Sequence, residues 1–296
     1  MQRRNFMQAI AGAGTAAACF NGTSRQLWAE DKHTPKIAFG LVTYMWAAQW
    51  DLPTLIANCQ KCNVLGVELR TTHKHGVEPS LTEKQRADVR KRFADSEVTL
   101  VGLGSNERYD NPDAAVVQKA IEATKEFIVL SHDVGGSGVK VKPDRFHDSV
   151  PHEKTIEQIG KSLNELGEFA GGYGQQIRLE VHGGCAEIPT IKAIMDVADN
   201  ENVAVCWNSN AQDLAGEGLK HNFNLVRERF GHTLHARPLD DKSYPYEDLL
   251  CLLIESDYAG WTMLEDGKVP QDVVGELARQ SKLFDAMVKK IAQGTS

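Results

Sequence analysis

Four separated stretches of this chain each end an apolar run with a side chain that can hold a metal ion or move a proton. They are Leu179-Glu180-Val181-His182, Cys206-Trp207-Asn208-Ser209-Asn210, Leu234-His235-Ala236-Arg237 and Met263-Leu264-Glu265-Asp266. Glu180 and His182 are two positions apart, as are His235 and Arg237, so each pair points to one side of an extended strand. Glu180, Asn208, His235 and Glu265 together offer two carboxylates, an amide oxygen and an imidazole. That hard, mixed donor set suits Mn2+, Mg2+, Co2+ or Zn2+ better than copper. A divalent ion there would bind adjacent oxygens of a hydroxy-ketone or hydroxy-aldehyde and ease the charge left when a proton departs from carbon. Glu180 or Glu265 would take that proton and the other would return it. Two carboxylates sharing one site also raise the pKa of one of them.

Each of these residues has a plainer reading. A single glutamate at a strand exit is a surface carboxylate or a salt bridge across the mouth, and a single Asn208 is a turn residue. Both glutamates with His235 at the matching place favour a site. Around it, His182 is expected to support a ligand or touch substrate, with Asn210 the nearest polar neighbour of Asn208. Arg237 suits a substrate phosphate or carboxylate and equally a pairing with Asp240 or Asp241. His73 and His75 fall in a loop expected to face substrate. Tyr44 and Trp46 end the first strand and are expected to wall a sugar ring, with core or rim packing as the alternative. Lys140 and Lys142 alternate with valines, so one of them could point into the mouth, and solvated lysine is the plainer reading.

Residues so far apart meet only if a regular framework carries them. Buried-strand runs begin at Lys36, Val64, Val98, Gly138, Ile177, Val203, Thr233 and Trp261, and each is followed by a segment of helical apolar spacing. Thr82 stands three residues before Gln85, a capping-box pattern that opens the second helix. Strict alternation predicts a parallel sheet. Eight units within residues 36–293 predict one closed (β/α)8 barrel, whose functional groups gather at the C-terminal ends of its strands. No glycine-rich phosphate loop follows the first strand, as an open dinucleotide-binding sheet would require.

The rest of the sequence bounds the function. A net charge of −7 disfavours a nucleic-acid surface, which needs clustered Lys and Arg. Residues 1–29 read as an export signal of twin-arginine type: Arg3-Arg4-Asn5-Phe6 precedes a short Ala/Gly-rich apolar run, too short to span a bilayer. Cleavage is expected after Ala18 or near Ala29, residues 30–35 form a linker, and the mature protein is expected in the periplasm. Lipoprotein anchoring at Cys19 ranks below this, because Ala16 stands where such a signal prefers Leu. Six unevenly spaced cysteines, Cys59-Gln60-Lys61-Cys62 included, form no disulfide framework.

The order Glu, Asn, His, Glu across the last four strands resembles the xylose-isomerase-like sugar phosphate isomerase/epimerase superfamily. Supporting pieces are GVELR (residues 66–70), RLEVHGG, CWNSN, LHAR and MLEDG. The resemblance implies a TIM barrel in which Glu180, Asn208, His235 and Glu265 bind one divalent ion, manganese first. It also makes Glu180 and Glu265 the catalytic pair, working through a metal-bound enediolate. The family's strand-six ligand is usually Asp, and Asn208 removes that negative charge. Epimerases of this group often carry a His three residues later, where this chain has Ala211. The expected function is therefore a sugar or keto-sugar isomerase/epimerase with a small carbohydrate substrate, no nucleic-acid partner and no membrane span; a homo-oligomer stays open. The alternatives are a lyase or hydrolase on keto-sugars or glycosides, and a non-catalytic sugar-binding barrel. A nuclease of endonuclease IV type ranks last.

Overall fold

Eight short apolar runs that cannot be satisfied alone pair side by side, and the helix after each run covers its outer face. The computed structural model describes residues 35–294; the expected export signal, the cysteine at position 19 and most of the linker lie outside them. The strands are β1 (Ala38–Val42), β2 (Gly66–Arg70), β3 (Thr99–Arg108), β4 (Gly138–Lys142), β5 (Gln176–Glu180), β6 (Val203–Cys206), β7 (Thr233–Ala236) and β8 (Trp261–Leu264). The helices that follow them are α1 (Leu52–Cys62), α2 (Glu83–Ala94), α3 (Ala114–Val134), α4 (His152–Gly171), α5 (Ile188–Val197), α6 (Leu219–Val226), α7 (Tyr246–Glu255) and α8 (Val273–Ala292). All strand pairs are parallel, in the order β6-β5-β4-β3-β2-β1-β8-β7. β6 and β7 close the ring through two isolated bridges, Val205 with Phe230 and Asn208 with His235.

Local chemistry fixes the element ends. The Asp51 carboxylate accepts from the Thr54 amide at the start of α1, and Asn63 ends that helix in the left-handed region. The expected capping box between Thr82 and Gln85 opens α2. β1 is shorter than its apolar run, because residues 44–49 form turns.

The main core lies between strands and helices, with Leu41, Leu55, Val67, Leu103, Ile128, Ile159 and Leu250 fully or almost fully buried. The barrel interior is different. Only a small apolar group, Val42, Val101 and Met263, stands apart from the main core. Arg178, Lys140, Glu68 and His235 are buried as deeply as any leucine. Glycines make their room. A Cβ on Gly102 would stand 2.8 Å from Arg178 Nη1, and one on Gly104 would stand 3.0 Å from Glu68 Oε1. Arg178 reaches the Ser137 hydroxyl at 2.6 Å and the Gln176 side chain at 2.9 Å.

Candidate metal centre and sugar site

Strand pleating turns every second residue of β5 inward, which stacks Arg178 below Glu180 and carries His182 to the rim. The same rule places His235 inside β7, and the bridge from Asn208 to His235 draws the end of β6 against it. One oxygen or nitrogen from each of Glu180, His235 and Glu265 lies within 4.8 Å of the others. His235 Nδ1 is 3.2 Å from Glu265 Oε2 and 3.5 Å from Glu180 Oε1. Its Nε2 faces Glu68 Oε1 at 3.3 Å.

Glu180 is held from two sides. Lys140 Nζ donates to Oε2 at 2.8 Å, and the Asn208 amide donates to Oε1 at 3.1 Å. Both Lys140 and Glu180 are only 1% exposed, so this is a buried ion pair, where removing one partner is costly. Burial pushes the Glu180 carboxyl up, but the Lys140 ammonium, with His235 and Lys142, holds it well below the usual range. Burial likewise opposes ionisation of Glu68, and the His235 ring outweighs it and lowers that pKa.

His235 shows what the cluster lacks. Neither ring nitrogen makes a hydrogen bond, and both Glu68 oxygens are equally without a donor. Burial opposes charge on the ring, yet its neighbours, Cys206, Glu265 and Glu68 among them, push its pKa well above the ordinary value. The unpaired His235 nitrogens stand beside the oxygens of Glu180 and Glu265, donors that a shared cation would satisfy. The donor set therefore fits a divalent ion, with Glu180, Glu265 and His235 Nδ1 as ligands and Glu68 steadying the far side of the imidazole. Half a turn of the Asn208 amide would add its oxygen.

Above the cluster lies a cavity of about 300 Å3, lined by Glu180, Asn208 and Glu265. Of the substrate contacts expected from sequence, Tyr44, His182, Asn210 and Arg237 also line it. His182 Nδ1 is 3.2 Å from Asp144 and its Nε2 is 3.4 Å from Lys142 Nζ. The Asn210 side chain is engaged in architecture, donating to the Val181 and Asn208 carbonyls. Arg237 pairs with neither Asp240 nor Asp241; Asp240 pairs with Arg279.

Trp46, His73 and His75 are not among the residues that line the cavity. Trp46 is buried, and its indole N–H donates to the Lys268 carbonyl, tying the loops after β1 and β8 instead of walling the cavity. His73 meets the Thr43 hydroxyl at 2.9 Å and stands outside the cavity lining; burial lowers its pKa to about 4. His75 bonds the Arg70 carbonyl and accepts from the Val77 amide, a structural role. For the two lysines of β4 the structure favours the alternative over the solvated reading. Lys140 is at the heart of the site, and Lys142 is 9% exposed and lines the cavity. Burial, then the charge of Lys140, lowers the Lys142 pKa. Glu68, Arg70 and Asp266 also belong to the site and were not singled out by sequence; Glu68 and Arg70 share the two-residue spacing that marks the other strands.

The model of the family described as xylose isomerase-like TIM barrels matches residues 56–282. The chain belongs to that family. No curated protein sequence matches this member. Several solved structures share its fold. The D-psicose 3-epimerase of Clostridium cellulolyticum H10, solved with D-tagatose, is 14% identical with a TM-score of 0.71, covering 86% of this chain and 99% of its own. The IolI protein, solved with a bound zinc atom, is 16% identical with a TM-score of 0.71, covering 86% and 98%. The 3-keto-D-glucoside 4-epimerase of E. coli is 11% identical with a TM-score of 0.69, covering 85% and 99%. Among the described residues of this family member, no helix is long and apolar enough to cross a membrane.

Proposed function

We propose that this family member is an exported, divalent-metal-dependent isomerase or epimerase of a sugar or keto-sugar. The observation that carries the reading is the convergence of Glu180, His235 and Glu265, on or just after three different strands, with both glutamates lining a cavity of monosaccharide size. A divalent ion held by these residues and Asn208, manganese first, would polarise adjacent substrate oxygens. The side chains divide the remaining work. Lys140 and Asn208 occupy the Glu180 oxygens and fix that carboxylate in place. Glu265 has no comparable clamp, so it is the group free to take a proton from the sugar carbon. His182, on the rim near Glu180, contacts the substrate, and Tyr44 offers an apolar wall. The sugar epimerases of the same fold support this reading.

The asymmetry between the two glutamates favours a second reading. One free base and one clamped carboxylate suit elimination next to a carbonyl, as a lyase would perform it. The products separate the two. Metal analysis of the purified protein, then a panel of sugars and keto-sugars read by mass, should show a bound divalent ion and an isomer of unchanged mass. A cleaved or dehydrated product would select the lyase, and a protein that binds no divalent ion would end both. Glu265→Gln should lower kcat at least ~100-fold, the scale of a lost general base, with the circular dichroism spectrum unchanged. Activity surviving that substitution would remove Glu265 from the reaction.

A further inference from the structure

The cavity carries more positive charge than its own carboxylates can answer. Arg70 at the end of β2, Lys142 at the end of β4 and Arg237 after β7 all line it. Among the described residues, none of the three has a carboxylate oxygen within 4.0 Å. Four carboxylates stand in or beneath the cavity: Glu68, Glu180, Glu265 and Asp266. Lys140 and Arg178 are enclosed with them, so the three rim groups bring the basic side chains to five. The count exceeds the carboxylates by one before any metal binds, and a divalent ion would raise the excess to three. A neutral sugar leaves that excess unanswered in a site partly shielded from water, where charges interact strongly.

The rim cations are also oriented. Arg70 lies over the Tyr44 ring, 5.7 Å from its centre, and its Nη1 is 3.5 Å from the Thr71 carbonyl. Its main-chain N–H donates to Thr43 Oγ1. A guanidinium fixed this way presents a fork that matches two oxygens of a carboxylate or phosphate. Lys142, nine-tenths buried, keeps its ammonium beside His182 Nε2. A buried ammonium without a carboxylate is costly to hold, and an anionic ligand would answer it. The small volume limits the ligand to one sugar unit.

We propose that the substrate is an acidic sugar, and that Arg70, Lys142 and Arg237 hold its carboxylate or phosphate at the mouth of the cavity. This deepens the isomerase reading and rests on it for the sugar itself. Calorimetric titration of the manganese-loaded protein, repeated with Glu265→Gln to prevent turnover, reads binding without reaction. The ligands are hexuronates and aldonates, hexose phosphates and their neutral parents. At least one acid should bind tenfold or more tightly than its neutral parent, and its affinity should fall as salt rises. Preference for uronates or aldonates identifies a carboxylate, and preference for hexose phosphates identifies a phosphate. Arg70→Gln and Lys142→Met should each weaken the acid at least tenfold while manganese affinity and melting temperature do not fall below wild type. Equal or tighter binding of the neutral parents, no binding by any acid, or acid binding indifferent to both substitutions would overturn the proposal. An acid that binds in this way without isomerising leaves the proposal standing and ends the isomerase reading. A neutral sugar isomerised without preference does the reverse.

Discussion

Asn208 is the residue at which this site departs most from a carboxylate-rich metal centre. Its amide donates to Glu180 Oε1 at 3.1 Å, so without metal it relieves a crowded anionic cluster. Asn208→Asp should reverse both effects. Without metal, the Asp side chain replaces the amide donor to Glu180 Oε1 by an anionic oxygen, and that local repulsion should lower the melting temperature. With manganese, an additional anionic ligand should tighten binding by roughly tenfold or more, on the scale of single-residue effects at metal centres. Competition with a metal-sensitive dye checks the second effect and thermal melts in chelator check the first; unchanged metal affinity would take residue 208 out of the ligand set. Asp213, five residues on, titrates in a different setting. Its Oδ2 accepts from the Asn210 amide and the Tyr244 hydroxyl, and burial raises its pKa to about 7. In the unfolded chain it ionises near ~4. Between those values the folded state binds the extra proton, so stability falls as pH rises from about 4 to about 7. Asp213→Asn removes that loss, and wild-type stability should decline relative to the variant across this window and run parallel above it. Parallel profiles throughout would show that Asp213 stays ionised when buried.

At the scale of the strand, glycines and charged residues are two halves of one interior. Gly102→Ala would place a methyl 2.7 Å from the Gly138 carbonyl and 2.8 Å from Arg178 Nη1. Backbone cannot yield easily there, so overpacking should cost about 1–3 kcal/mol, read as a lower denaturation midpoint at unchanged slope. A variant as stable as wild type would mean that Arg178 moves aside freely. The same interior explains what the sequence disclosed and what it hid. Eight strand–helix units and the Glu180, Asn208, His235, Glu265 order were legible because an acid, amide or imidazole ending an apolar run is conspicuous. Lys140 was only half legible, as one of two lysines that could point into the mouth, because in GVKVK its alternation with valine also matches a strand with one wet face. A barrel strand is covered by helices outside and by other strands inside, so both faces are dry and the polar alternate points to the centre. Glu68 was hidden in the same way within GVELR. Trp46 took the packing alternative: residues 44–49 leave the strand for turns, and its buried ring is tied to the Lys268 carbonyl.

At the scale of the whole molecule, the proposed ligands straddle the least-bonded joint of the barrel. Glu180, Asn208, His235 and Glu265 follow or lie on β5, β6, β7 and β8 in turn. Between β6 and β7 the ring is closed by isolated bridges, with His235 N–H donating to the Trp207 carbonyl at 2.7 Å and Ser209 N–H to the His235 carbonyl at 3.1 Å. An ion held by side chains on both sides of that seam would clasp it. Because the unfolded chain scatters these residues over more than eighty positions, it has no comparable site, and binding must favour the folded state by mass action. At a free metal concentration of 100 Kd the gain is ~2.7 kcal/mol, which for a domain of this size is a rise of roughly 5–10 °C in melting temperature. Chelation should reverse the rise. Amide exchange should locate it, with manganese slowing the His235 and Ser209 amides more than those pairing β2 with β3, since local opening precedes global unfolding at weakly bonded joints. A melting temperature indifferent to manganese, or protection spread evenly round the ring, would mean that the seam closes without help and that these four side chains do not share an ion.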